Sequence, residues 1–199
     1  EVDGTIGLDE QGRFQQTHCI FNDITERKRT ENALKRIEWM LTKQPTENEA
    51  PAHPSPYGDL TALNTKRTIL DAVGPQMLAD IVNDYLRMLG TSSAVYESNG
   101  DYAYGIFSSG WCRYLDSASR DLCGTDDNAQ ALACGKWLCH ECCWREASLP
   151  CIQTGKPTDI ACKGGIRLYT VPIIAGQEII GCINIGYGDP PRDDDTLRR

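Results

Sequence analysis

The dipeptide Asn99-Gly100 constrains the fold of this chain more than any other pair of residues. It sits between "SSAVYE" and "YAYGIFS", two runs of β-branched, aromatic and small residues. A two-residue hairpin turn with positive φ at both central positions favours Asn followed by Gly, so the flanking runs must pair antiparallel. A second hairpin is written nearer the end, where "RLYTVPII" and "EIIGCINIGYG" flank the tight turn "AGQ", with the shorter strand "TDIAC" before them. Between the hairpins, residues 109–154 change character and read as helical or irregular. The expected fold is α+β: an antiparallel sheet with helices packed on one face and a helical insert between its second and third strands.

Upstream of the sheet, Met77, Leu78, Ile81, Val82, Tyr85, Leu86 and Leu89 recur at helical spacing, with Gly90 as a C-terminal cap. Gly74-Pro75 separates this helix from a shorter one. Residues 44–59, "QPTENEAPAHPSPYGD", lack periodicity and form a linker in which His53 is a bystander. Residues 1–23 form another hairpin around "DEQGR". A lone hairpin is marginally stable, so this one is expected to be the end of a larger domain in a longer protein. Residues 24–43 follow as a helix capped by Asp23 or Thr25, with Ala33, Leu34, Ile37, Met40 and Leu41 on one stripe.

The net charge of −8 argues against nucleic acid as a partner, because phosphate binding needs a basic face. No apolar run approaches the ~20 residues of a membrane helix, and no signal peptide is present, so no membrane contact and a cytoplasmic location are expected. In that setting the cysteines are expected to be reduced, with metal or redox chemistry ranking above structural disulfides.

Most of those cysteines crowd between Cys112 and Cys162, and "KWLCHECCWREASLPC" is the densest stretch. On an α-helical wheel Cys139 and Cys143, four apart, share a face with Glu146 nearby. Cys142 turns aside, in line with Leu138 and Leu149, and reads as a core thiol. Trp137, Trp144 and Ser148 occupy another face, and Pro150 should end or kink the helix. His140 points away from Cys139 and makes a poor co-ligand. Two thiols at this spacing can grip a soft metal ion if the fold brings further ligands, for which Cys112, Cys123, Cys134 and Cys162 are candidates. Cys162, before Gly164-Gly165, is the most suggestive. The alternative is that thiols simply pack, and Cys142, Cys151 and Cys182 read that way. No nucleophile–base pair and no phosphate-cradling glycine loop is found, so no catalytic residue is assigned.

Two resemblances add to this reading. "DITERK" at residues 23–28 resembles the end of a PAS domain, where the last strand runs into a signalling helix; it implies a PAS module upstream. "SSGWCRYLD", "CHECCW", "TGKPTDIACKGGIRLYTVPI" and "GQEIIGCINIGYGDPP" together resemble the PocR sensory domain, over residues 60–191. That family implies a PAS/GAF-like fold and a sensor of a short diol or similar hydrocarbon derivative, within a transcription regulator or a multidomain histidine kinase. Its typical cysteine positions match Cys112, Cys139 or Cys143, and Cys162; Cys134, Cys142 and Cys151 look like additions.

The resulting expectation divides the chain into a PAS-end hairpin (1–23), a connector helix (24–43), a linker (44–59), a PocR-like sensor (60–191) and the start of a linker to an output module (192–199). Trp111, Cys112, Cys139, Cys143, Trp144, Cys162 and Tyr169 are expected to line one internal ligand cavity. Cys112, Cys139, Cys143 and Cys162 are the alternative ligands of a metal or iron–sulfur cluster. Two further readings stand beside the organic-ligand sensor: a metal or thiol redox sensor, and an interaction module without a ligand. The connector helix is expected to join two copies as a parallel homodimer.

Overall fold

The computed structural model describes residues 1–43, 57–89, 91–108 and 110–190. Most of the expected linker, with His53, lies outside the described residues, as do Gly90 and the end of the chain after Pro190. The chain divides into two compact units, Glu1–Leu41 and Thr42–Arg199.

In the first unit β1 (Val2–Leu8) pairs antiparallel with β2 (Phe14–Phe21). Asp9 closes the turn, its carboxylate accepting from the backbone N–H groups of Gln11 and Arg13 at 2.9 and 2.8 Å. Asp23 accepts from the Thr25 N–H at 2.9 Å and so caps α1 (Thr25–Thr42), as expected. Leu34, Ile37 and Leu41 of the apolar stripe are exposed in this single chain.

The second unit is built on a five-stranded antiparallel sheet. Its strands are β3 (Ser92–Glu97), β4 (Tyr102–Ser108), β5 (Thr158–Ala161), β6 (Arg167–Ala175) and β7 (Glu178–Tyr187), in the order β4-β3-β7-β6-β5. Gly100, with φ of 96°, supplies the left-handed residue of the β3–β4 turn. The centre of the sheet is drawn tight at Gly181, where an added Cβ would lie 2.1 Å from the Tyr96 carbonyl oxygen.

Helices cover both faces of this sheet, which corrects the expectation of one covered face. On one side α2 (Thr68–Val73) and α3 (Pro75–Leu89) pack Ile69, Leu70, Leu78 and Val82 against Val95 and Ala103. On the other, Ala94, Tyr96, Tyr102 and Cys182 meet Trp137 and Cys151 of the helical insert. Neighbouring residues in one strand point to opposite faces, so the buried run Ala94, Val95, Tyr96 needs two layers. Glu97, fully buried, caps α2 by accepting from the N–H groups of Ile69 at 3.0 Å and Leu70 at 3.2 Å, and from Asn64 at 3.3 Å.

The insert runs through α4 (Gly110–Asp121), α5 (Asn128–Ala133) and then one long helical segment: α6 (Leu138–His140), a π-helix (Glu141–Ser148) and α7 (Leu149–Thr154). Pro150 does not end it. The Leu149 N–H reaches back to Trp144, and Pro150 lies in the first turn of α7, where a missing N–H is least costly. Cys123 and Cys134 are joined as a disulfide across the α4–α5 connection. They are therefore neither reduced thiols nor ligands, contrary to expectation.

Candidate functional site: a thiol-lined cavity between the insert and the sheet

The inward face of α4 presents Cys112, Leu115, Asp116 and Ser119, spaced to share one side of a helix. Trp111 ties this helix to the turn after β5 by donating its indole N–H to the Gly164 carbonyl at 2.8 Å. That turn is closed by the Cys162 N–H to the Ile166 carbonyl at 2.8 Å and the Gly165 N–H to the Cys162 carbonyl at 3.0 Å. A Cβ on Gly164 would lie 2.7 Å from Leu115 Cδ1, so α4 packs closely against this turn.

The π-helix presents the remaining thiols. Its i→i+5 bonding leaves backbone groups for outside partners, and β7 provides one. Asn184, fully buried, donates its amide to the Cys143 carbonyl at 3.0 Å. Its own oxygen accepts from Ser148 at 2.9 Å and Thr170 at 2.8 Å. One asparagine thus holds the widened turn against the central strands.

These elements bring Trp111, Cys112, Cys139, Cys143 and Cys162 around one small cavity of about 30 Å³. Beside it lies a pocket of about 290 Å³ with an almost wholly apolar lining that includes Leu115, Ala118, Leu122 and Leu138. The two spaces share Leu115, Cys139, Cys162 and Gly164. Cys142 borders the outer pocket, so it is more than the core thiol that an α-helical wheel suggests.

Two expected residues lie elsewhere. Trp144 packs on Tyr96, ring centroids 5.4 Å apart, and over Gly100. Tyr169 is adjacent to Leu168, which lines the inner cavity, and strand alternation turns it to the other face. Six residues were missed: Ser92, Leu115, Asp116, Gly164, Ile166 and Leu168 also border the inner cavity. Asp116 had a readable signal, one helical turn after Cys112.

Burial pushes the Cys112 thiol up to about 11, with the nearby Asp116 adding to it against a lowering hydrogen bond from Ser92. Burial likewise pushes Cys139 up to about 12 and Cys143 well above its ordinary range. These three thiols are protonated at neutral pH. Asp116 is itself raised by burial, partly offset by hydrogen bonds from Tyr57 and from the Trp137 indole, the latter at 2.7 Å, and by the charge of Arg120.

The arrangement does not suit the expected metal cluster. About 30 Å³ is the room of roughly one water, too little for an iron–sulfur cluster. Among the described residues, no group of three or more His, Cys, Asp or Glu side chains is placed to hold a metal ion. His140 is engaged elsewhere: buried, it accepts at Nδ1 from the Tyr102 hydroxyl at 2.8 Å, and Tyr102 in turn accepts from Tyr96 at 2.8 Å.

Compared with models of protein families, with characterised proteins and with solved structures, the chain has no match. Among the described residues, no helix is long and apolar enough to cross a membrane.

Proposed function

We infer that residues 57–190 form a sensory module that binds a small, largely apolar organic molecule between the helical insert and the sheet. The observation that carries this reading is the pairing of an apolar pocket of about 290 Å³ with a thiol-lined inner cavity that shares its wall. A pocket at the lower end of the range for small-ligand sites, apolar with a few polarizable groups, suits a short hydrocarbon derivative. The resemblance of residues 60–191 to PocR modules, and an antiparallel sheet carrying a helical insert, support the same conclusion. A PAS/GAF-like sensor fold is part of this proposal.

The route from ligand to output runs through the π-helix. Cys139 and Cys143 border the inner cavity, and the Cys143 carbonyl is held by Asn184 of β7. A ligand that shifts this turn loads the strand that leads to the chain's exit, and so biases a downstream module by its differential affinity for the two arrangements. A histidine-kinase-type cytoplasmic parent, with a PAS module upstream and α1 pairing two copies, completes the proposal.

A thermal-shift screen of short alcohols, diols and alkyl carbonyl compounds tests it. A ligand at a hundred times its Kd should stabilise by about 2.7 kcal/mol, or roughly 5–11 °C for a unit of this size. Ala118→Phe, which fills the outer pocket, should abolish the shift without lowering the melting temperature of the ligand-free protein by a comparable amount. Absence of stabilisation by every compound, or equal shifts in the filled variant, refutes binding at this pocket.

A further inference from the structure

Helix α4 separates two spaces. Leu115, Ala118, Ser119 and Leu122 border the apolar pocket, whereas Ser117, Arg120 and Asp121, on the opposite side of the same helix, border a polar cleft of about 500 Å³. The other wall of the cleft is the loop Gly124, Thr125 and Asp126, together with Tyr57. That loop is ordered by its own chain. The Cys123–Cys134 disulfide closes it, and Asp127 accepts from the Gln130 N–H at 2.8 Å. Thr125 Oγ1 accepts from the Asp127 N–H at 3.2 Å and donates to Gln130 at 3.1 Å, while Asn128 donates to the Tyr57 carbonyl at 2.8 Å. A wall fixed in advance lowers the ordering cost of binding.

Arg120 is the group that this fold leaves incomplete. It is 6% exposed, and its guanidinium lies over the Trp137 ring at 5.4 Å from the centroid. Nη1 donates to the Thr125 carbonyl at 2.5 Å and Nη2 to Asn128 Oδ1 at 3.1 Å. Both acceptors are neutral, and the buried Nε has no hydrogen-bond partner. Among the described residues Arg120 enters no ion pair. A buried cation without a counter-charge is costly, so an anionic group entering from the cleft would complete it. Asp121 and Asp126 border the same cleft, are exposed, and enter no ion pair among the described residues.

We propose that this cleft binds a free α-amino acid, its carboxylate on Arg120 and its ammonium at Asp121 and Asp126. The charges select the class. A simple carboxylate would leave two aspartates facing it, and a simple amine would meet the guanidinium; a zwitterion satisfies both signs at once. The cleft is within the size range of small-ligand sites and leaves room for the amino acid's side chain. This second site is independent of the apolar pocket and of what that pocket binds.

The test is calorimetric titration of the protein, its Cys123–Cys134 disulfide intact, with the proteinogenic L-amino acids at millimolar concentration. The expected result is saturable binding of at least one of them. Its N-acetyl derivative, which lacks the ammonium, and its carboxamide, which lacks the carboxylate, should each bind at least tenfold more weakly. Asp121→Asn combined with Asp126→Asn should weaken the parent amino acid at least tenfold, with little change in the ligand-free melting temperature, because both side chains are exposed. Arg120→Lys keeps the charge but loses the planar fork, and should weaken binding by as much; if that variant does not fold, the aspartate pair decides. Binding of none of the amino acids, a derivative that binds as tightly as its parent, or unchanged affinity in the aspartate variant overturns the proposal. Ala118→Phe tells the two sites apart, since it should abolish stabilisation by the alcohol screen and leave amino-acid binding intact. Loss of both in that variant puts the amino acid in the apolar pocket and overturns the cleft as its site, whereas amino-acid binding without any response to the alcohol screen refutes the apolar site alone.

Discussion

Acidification should unfold the second unit through His140, and the size of the effect follows from its surroundings. Its ring is buried, stacked near Trp137 with centroids 5.9 Å apart, and accepts the Tyr102 hydroxyl at Nδ1. Burial, with the nearby charge of Arg145 adding to it, lowers its pKa from 6.5 to about 4. The folded state therefore favours the neutral ring, and the stabilisation is present above the unfolded pKa and lost as pH falls toward the folded one. The full difference of about 2.5 pH units corresponds to about 3.4 kcal/mol. Linkage places about 2 kcal/mol of that loss between pH 8 and pH 5. Protonation at Nδ1 also turns that nitrogen into a donor, so Tyr102 must accept from it and its own hydroxyl proton loses the acceptor it had. Urea titrations followed by tryptophan fluorescence at pH 8, 7, 6 and 5 measure the slope. His140→Gln keeps an acceptor for Tyr102 and removes the titration, so its stability should fall by less than half as much over the same interval. Asp116, raised by burial, acts in the opposite sense on acidification but is common to both proteins. Parallel loss of stability in wild type and variant refutes a buried, neutral His140.

Two further outcomes follow from the same geometry. Asn184→Ala removes the donor to Cys143 and the acceptor of Ser148 and Thr170, so it should cost about 3 kcal/mol or more in urea unfolding, given about 1 kcal/mol per buried hydrogen bond plus the penalty of stranded partners. Cys123 and Cys134, separated by 11 residues, should be the two cysteines protected from alkylation in unreduced, denatured protein, and Cys134→Ser should lower stability by about 3 kcal/mol from loop-closure entropy.

Strand positions were legible because local chemistry and tertiary structure agree there. Asn99-Gly100 and the "AGQ" turn sit where the hairpins close, and Gly74 separates α2 from α3. The two-sided sheet was also written in the chain, as the unbroken run Ala94, Val95, Tyr96, which suits a strand buried on both faces better than alternation does. The convergence of Cys112, Cys139, Cys143 and Cys162 could be anticipated, but their chemistry could not. A cavity of about 30 Å³ is decided by Leu115, Ile166 and Leu168 closing in from three elements, and none of these carries a sequence signature. Trp144 and Tyr169 were misplaced for different reasons. The α-helical wheel had set Trp144 on another face than Cys139 and Cys143, and its packing on Tyr96 agrees with that wheel rather than with the cavity; strand alternation had to be anchored on Leu168 before Tyr169 could be assigned a face.

The π-helix is where sequence reasoning and mechanism part company, and it is tied to another element. Nothing in "ECCWREAS" demands the wider turn. The Cys143 carbonyl, which has its own place in the i→i+5 ladder, also accepts from Asn184, some forty residues later, and from the Ser148 hydroxyl at 2.6 Å. Such a helix segment is conditional on its partner, because an α-helical alternative that satisfies the same backbone groups internally is available to it. The segment that conditionally widens also carries Cys142 and Cys143, which border the outer pocket and the inner cavity, while Asn184 belongs to the strand closest to the end of the described chain. A change at the cavity that pulls Cys143 away from Asn184 therefore strands the buried Asn184 amide on β7, while the Cys143 carbonyl keeps the Ser148 hydroxyl. Two arrangements that differ in this way are separated by discrete hydrogen bonds rather than by gradual repacking, which is what a switch between states requires.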